Sequence, residues 1–446
     1  MTLRVGLVHA LLGLMGLALW VGRGVDLGAV DLQAVQVVGA LAVVVMLAQT
    51  VSTRTAPLQS LQPTTQKLLA GVAVAVTAIV AVAALSAFQA TDPISVLRFV
   101  VRYVLGLVLV VALVQFLGRR SRLRQLERAL LFGAVASVGL AALGFVLPEL
   151  GAITIRYGDR AQALLNHPNQ FAILLTAVAP IALAAALRQP RRPTRWAVLL
   201  VVAAGVAFTG SKLNLALLVV ALPAMGLLAT LLRRGMLERA ASALRLMGLA
   251  AAALAVAYAV VLRFNPRTLA TFERLLEDPW STSAVVTRSE MWGTALRVGL
   301  DHPWFGVGAD HAGSYLPHSH AHNVVLEFFL TMGAGGLVAL GLLLLAWLSL
   351  VSLSVWLAFT RRAMPFADRL ALLAYSSSLT LYLASNQSSD SFGGTTLPIA
   401  WIATAMALGQ VEVVLRDSAS ARATAAAGAP EQPAPGPVPT TGAAHL

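Results

Sequence analysis

Runs of about 18 or more residues without a charge recur from one end of this sequence to the other, and that length crosses a bilayer as a helix. Backbone amides find no water in hydrocarbon, so a crossing segment of this length must satisfy its own hydrogen bonds as a helix. Divided at their charged breaks, the runs predict twelve spans: 5–21, 33–51, 68–88, 97–117, 129–147, 170–187, 196–209, 213–232, 246–262, 333–359, 370–385 and 397–414. Composition agrees. Only 11% of the residues are charged and 58% are hydrophobic, against roughly 25% charged in soluble domains. A soluble globular enzyme, a disordered chain and a fibrous repeat are excluded, and the expected fold class is an all-α polytopic membrane protein.

The charges then give orientation. With the N-terminus in the cytoplasm, the loops on that side hold 21 of the 32 Lys and Arg but only 6 of the 19 Asp and Glu. This asymmetry follows the positive-inside rule, and the net charge of +13 needs no nucleic-acid partner. The first run reads as a retained helix, since no small-residue cleavage site follows it. The expected organisation is spans one to nine over 1–262, one large extracytoplasmic loop over 263–322 and spans ten to twelve over 323–417. Residues 418–446, rich in Ala, Pro, Gly and Thr, are expected to form a disordered cytoplasmic tail.

Short loops connect helices, so a loop of some sixty residues is where function is expected. Thr287 to about Leu300 reads as a short amphipathic helix, and Gly306, Gly308 and Gly313 mark turns. The chain has no cysteine and no Asp-x-Asp pair, and its external acids are scattered. Oxygen-ligand metal sites need converging carboxylates, so no metal and no cofactor is expected. His318, His320 and His322 resemble a metal cluster but lack further ligands nearby. External basic groups instead recur at helix ends: Arg98 and Arg102 one turn apart, Arg156 and Arg160 at the same spacing if helical, Lys212 in the turn Thr209-Gly210-Ser211-Lys212, and Arg288 in the loop. Any one of them has a structural reading as a side chain snorkelling to the headgroups. Together they suit an anion site, because guanidinium forks bind phosphate bidentately. His322 and Asn323 stand where the loop re-enters an apolar helix. His322 reads either as a polar residue at that helix start or as a general base, with Glu327 near His322 or Asn323. His302 and His311 are expected at the loop surface, and His167 at the start of span six.

The run from Arg288 through Asp301-His302-Pro303-Trp304-Phe305-Gly306-Val307-Gly308, followed by Ala321-His322-Asn323-Val324-Val325-Leu326-Glu327, resembles the O-antigen ligase/polymerase family. His167-Pro168-Asn169 looks like that family's Pro-Asn segment, and Thr209 to Lys212 like its Ser-Arg turn with Lys replacing Arg. The resemblance covers roughly 155–340. It implies a metal-independent, inverting glycosyltransferase at the periplasmic face of the bacterial inner membrane. The donor would be a glycan on an undecaprenyl-pyrophosphate carrier and the acceptor the lipid A-core oligosaccharide. His322 would then be the general base, or hydrogen-bond acceptor, for the acceptor hydroxyl, Arg288 would hold the pyrophosphate, and Arg156, Arg160, Lys212, Arg98, Arg102 and Asn323 would bind substrate. A polymerase or a protein O-oligosaccharyltransferase of the same family is the nearest alternative, and a lipid-linked glycan transporter a more distant one.

Overall fold

The protein is described by a computed structural model covering residues 2–21, 60–147, 156–157, 160–165, 167–233, 283–317, 320–387 and 396–427, with short pieces between 24 and 45 and single positions at 235, 241, 248 and 259. Helix α1 spans Thr2–Ala18 and is followed by a small antiparallel pair, β1 Gly24–Asp26 and β2 Asp31–Gln33. Helices α2 Pro63–Ser86, α3 Pro93–Leu117 and α4 Arg120–Val146 come next. A second pair, β3 Arg156–Tyr157 and β4 Arg160–Ala161, leads to α5 Pro168–Arg188, α6 Pro193–Phe208 and α7 Lys212–Leu231. The loop helix α8 covers Ser283–Asp301, a 3-10 turn Ala312–Ser314 follows, and α9 Val324–Thr360, α10 Phe366–Ser385 and α11 Leu397–Ala427 complete the order.

The chain is thus all-α in its main elements. Among the described residues seven helices are long and apolar enough to cross a membrane: α2, α3, α4, α5, α7, α9 and α11. Helices α1, α6 and α10 occupy three further expected spans, while 33–51 and 246–262 fall largely outside the described residues. Several helices begin before their apolar run. Pro63, Pro93, Pro168 and Pro193 each sit in the first turn, where the missing N–H costs nothing and the fixed φ favours helix. The expected tail boundary at Ser418 is not an element end. Helix α11 continues to Ala427, because 421–427 is mostly alanine, the strongest helix former; residues 428–446 lie outside the described residues.

Burial sorts the helices. Nearly every residue of α5 and of the apolar part of α11 is buried, whereas α2, α7 and α9 bury about a third of theirs and leave Val74, Val220, Val338 and Leu348 facing outward. α5 packs on α6 and α10, α11 on α3 and α10, and α2 on α9. Close approach of α3 and α11 depends on Gly106, where a Cβ would collide with the Trp401 indole.

Polar contacts divide the bundle into two rims. At one, Arg120 pairs with Asp368 and Asp417, Arg188 with Glu127, and Arg369 donates to the carbonyls of Ala358 and Leu232. At the other lie the end of α2, the starts of α3, α5 and α7, the end of α10, and α8 with its loop. The alternation of helix directions between these rims follows from the chain order.

Helix α9 is broken at Gly333, whose φ of +62° and ψ of −154° no helix contains. The loop ahead of α9 repairs the break. Val307 and Gly308 donate to the carbonyls of Leu330 and Thr331 at 3.0 Å each, while Ala334 donates to Pro303 at 2.7 Å and Gly335 to Trp304 at 3.2 Å. Backbone groups freed by a break in an apolar helix need such partners. The turn 303–308 is therefore spliced into the helix. Gly306 also has positive φ, and a Cβ there would strike the backbone of Thr331 and Met332.

Candidate functional site

The loop rim gathers most of the residues singled out in the sequence. Arg160 opens β4, donating through Nε to the Thr209 carbonyl and through Nη2 to Asn169 Oδ1, both at 2.7 Å. It thereby ties the end of α6 to the start of α5. His167 caps α5, its Nδ1 accepting from the Asn169 amide at 3.1 Å. The helical spacing considered for Arg156 and Arg160 does not apply. These residues lie on an antiparallel pair in which Arg156 faces Ala161 and Tyr157 faces Arg160.

Lys212 begins α7, directly after the turn in which Thr209 Oγ1 accepts from Ser211 N and Gly210 takes a φ of +63°. Its half-buried ammonium lies within the fields of both Arg288 and Arg160. Three cations from β4, α7 and α8 therefore share one region. Beneath them Asn214 donates to Ser211 Oγ at 2.9 Å and accepts from Ser385 on α10 at 2.8 Å, so the turn stands on a buried polar brace.

Arg288 and Trp292 are one turn apart on α8 and share a face. The Trp292 indole N–H donates to the Ala321 carbonyl at 3.0 Å, joining that face to the residue before His322. On its other side, Ala321 N–H donates to Glu327 Oε2 at 2.7 Å, and Glu327 Oε1 lies 3.4 Å from His320 Nδ1. Asn323 caps α9, its Oδ1 accepting from Val325 and Leu326 at 3.0 and 3.1 Å. His322 sits between these fixed neighbours with φ of +50°, a left-handed conformation that costs a non-glycine residue about 1–3 kcal/mol. Glu327 thus serves His320 and Ala321, because α9 starts at Val324 and the carboxylate reaches back past the cap.

Arg98 is half-buried on α3, and Arg102, one turn on, is paired with Asp310 at 2.6 Å. Beside Asp310, Ala309 N–H donates to Ser86 Oγ at 3.0 Å, and His311 is hydrogen-bonded to Thr91. These bonds hold the loop on the ends of α2 and α3. They also correct the expectation for His311, which is 8% exposed and buried in that seam. Sequence reading did not find Asp310, Trp292 or Ser86. His318 and the loop from 263 to 282 lie outside the described residues.

Residues 197–341 match the family model described as O-antigen ligase. The matched segment runs from α6 to just past the break in α9 and contains Lys212, Arg288, His322 and Asn323; Arg98, Arg102, Arg156 and Arg160 precede it. No curated protein matches the chain. The match over 197–341, falling on the loop, the cationic turn and the broken helix, supports assignment of the chain to the O-antigen ligase/polymerase family.

Proposed function

We propose that this protein is a metal-independent, inverting glycosyltransferase that moves a glycan from a polyprenyl pyrophosphate, of the undecaprenyl type, to a sugar hydroxyl of the lipid A-core. The active site would face the periplasm, and the chain would reside in the bacterial inner membrane with both termini cytoplasmic. The observation that carries this reading is that the charges of Arg288 and Arg160 both bear on the Lys212 ammonium, on the rim where α8 braces the segment holding His322.

In this mechanism His322 accepts the proton of the acceptor hydroxyl as its oxygen attacks the anomeric carbon. The bond from that carbon to the pyrophosphate oxygen breaks, and the lipid diphosphate leaves on the opposite face. Its growing negative charge is met by Arg288, Arg160 and Lys212, which cost no reorganisation because they are already in place. Lys212 contributes a point charge, Arg288 a fork, and Arg160, whose Nε and Nη2 already bond Thr209 and Asn169, the charge of its guanidinium. Arg156 and Arg98 would also bind substrate. Arg102 acts through Asp310 by holding the loop, and Asn323 positions His322 by fixing the start of α9. A diphosphate is already a good leaving group, so positioning and charge neutralisation suffice.

The test is reconstitution of the purified protein in liposomes with a defined lipid-linked donor and lipid A-core. Product with inverted anomeric configuration, formed in the presence of a chelator, supports the proposal. His322→Ala should lower the rate about 10²–10⁴-fold with expression unchanged. Growth of the glycan on its lipid carrier would establish a polymerase instead, and transbilayer movement without covalent product a transporter. Activity lost to chelator and restored by one cation would contradict the metal-free mechanism.

A further inference from the structure

At the opposite rim, α4, α5, α6 and α10 close around a cavity of about 310 Å³. Its polar wall comprises Arg124, Glu127, Arg128, Arg188, Gln189 and Arg195. Four guanidinium groups therefore share the space with one carboxylate. Glu127 is already engaged, accepting from Arg124 at 3.3 Å and from Arg188 Nη2. The charges of Arg128 and Arg195 also bear on it. One carboxylate cannot serve four forks. Arg188, only 10% exposed, has its Nη1 buried with no hydrogen-bond acceptor among the described residues. A buried charged N–H without an acceptor is costly, and a second anion in the cavity would supply one.

Topology alone does not demand this arrangement. Arg191 and Arg192 supply positive charge to the same rim while remaining exposed. The cavity lies at the far end of α5 from Asn169; with 21 residues in the helix the two ends are about 30 Å apart. It is therefore separate from the transfer site.

We propose that this cavity binds a phosphate-bearing anion, drawn either from an anionic lipid headgroup or from solution. Guanidinium forks match phosphate geometry, and basic pockets between membrane helices suit headgroups. Leu131 and Ala185 add an apolar wall against which a lipid's glycerol and upper acyl chain can rest.

The experiment uses the full chain in phosphatidylcholine nanodiscs, titrated in one arm with phosphatidylglycerol and in the other with inorganic phosphate. Saturable binding in either arm supports the site, and the arm that saturates identifies the source. Arg128→Gln with Arg195→Gln leaves both partners of Glu127 intact and should weaken binding about tenfold or more. Arg191→Gln with Arg192→Gln removes the same charge outside the cavity and should change affinity less than twofold. Absence of saturable binding to the wild-type protein in both arms overturns the proposal without reference to any variant. Equal weakening by the two double variants also overturns it, because binding would then follow rim charge alone.

Discussion

His322 is held in a left-handed backbone conformation by neighbours that each have a definite bond: Ala321 to Trp292 and Glu327, and Asn323 to the first turn of α9. If these bonds aim the imidazole, weakening them should affect turnover more than binding. Trp292→Phe keeps the ring but removes the N–H donated to Ala321; the expected result is a several-fold lower kcat with KM little changed. Equal falls in kcat and expression would make Trp292 a purely structural residue. Asn323→Ala removes a helix cap worth about 1 kcal/mol, and should lower both Tm and activity. At this scale the sequence was informative where a motif is contiguous. Lys212, Arg288 and His322 stand in contiguous motifs that single them out from their neighbours in the chain. Arg102 with Asp310 was not, because those residues are 208 positions apart and no local pattern couples them. His311 was misplaced for the same reason: its partner Thr91 belongs to the connection between two distant helices.

Helices are legible from the apolar runs, and a proline in the first turn marks their starts more closely than hydropathy does. The break in α9 was less legible. Gly333 was expected at the start of a span, whereas it lies inside one helix whose two parts are joined through the turn 303–308. A glycine in a long apolar run signals nothing unless its backbone angle is known. Gly333→Ala should be costly: positive φ alone costs about 1–3 kcal/mol, and the new Cβ would lie 2.6 Å from Phe305 N and Trp304 O. Gly341→Ala, in the same helix with nothing within 4 Å, should be neutral or slightly stabilising. Thermal melting of the two variants in one detergent checks this. Equal Tm values would mean that the splice does not support α9. The hairpin carrying Arg156 and Arg160 escaped the sequence for another reason: two-residue strands have too few residues to show a period.

Across the whole molecule, one rim carries paired arginines around Glu127, Asp368 and Asp417, and the other carries Arg160, Lys212 and Arg288 with the loop. In the proposed topology the second rim lies outside the cytoplasm. Because the chain has no cysteine, single additions report sidedness cleanly. Ser314→Cys, on the loop, should react with an impermeant maleimide in intact spheroplasts, and Ser418→Cys, beyond the apolar part of α11, only after permeabilisation. The reverse pattern would invert the topology. The proposed mechanism assigns grip on the diphosphate to the cations and proton removal to one imidazole. Donor affinity and transfer rate, measured on the same nanodisc samples, separate these roles. Arg288→Gln should weaken donor binding tenfold or more, whereas His322→Ala should bind donor within a few-fold of wild type and transfer about 10²–10⁴-fold more slowly. Wild-type transfer by His322→Ala, or loss of donor binding in that variant with Arg288→Gln unaffected, would contradict it.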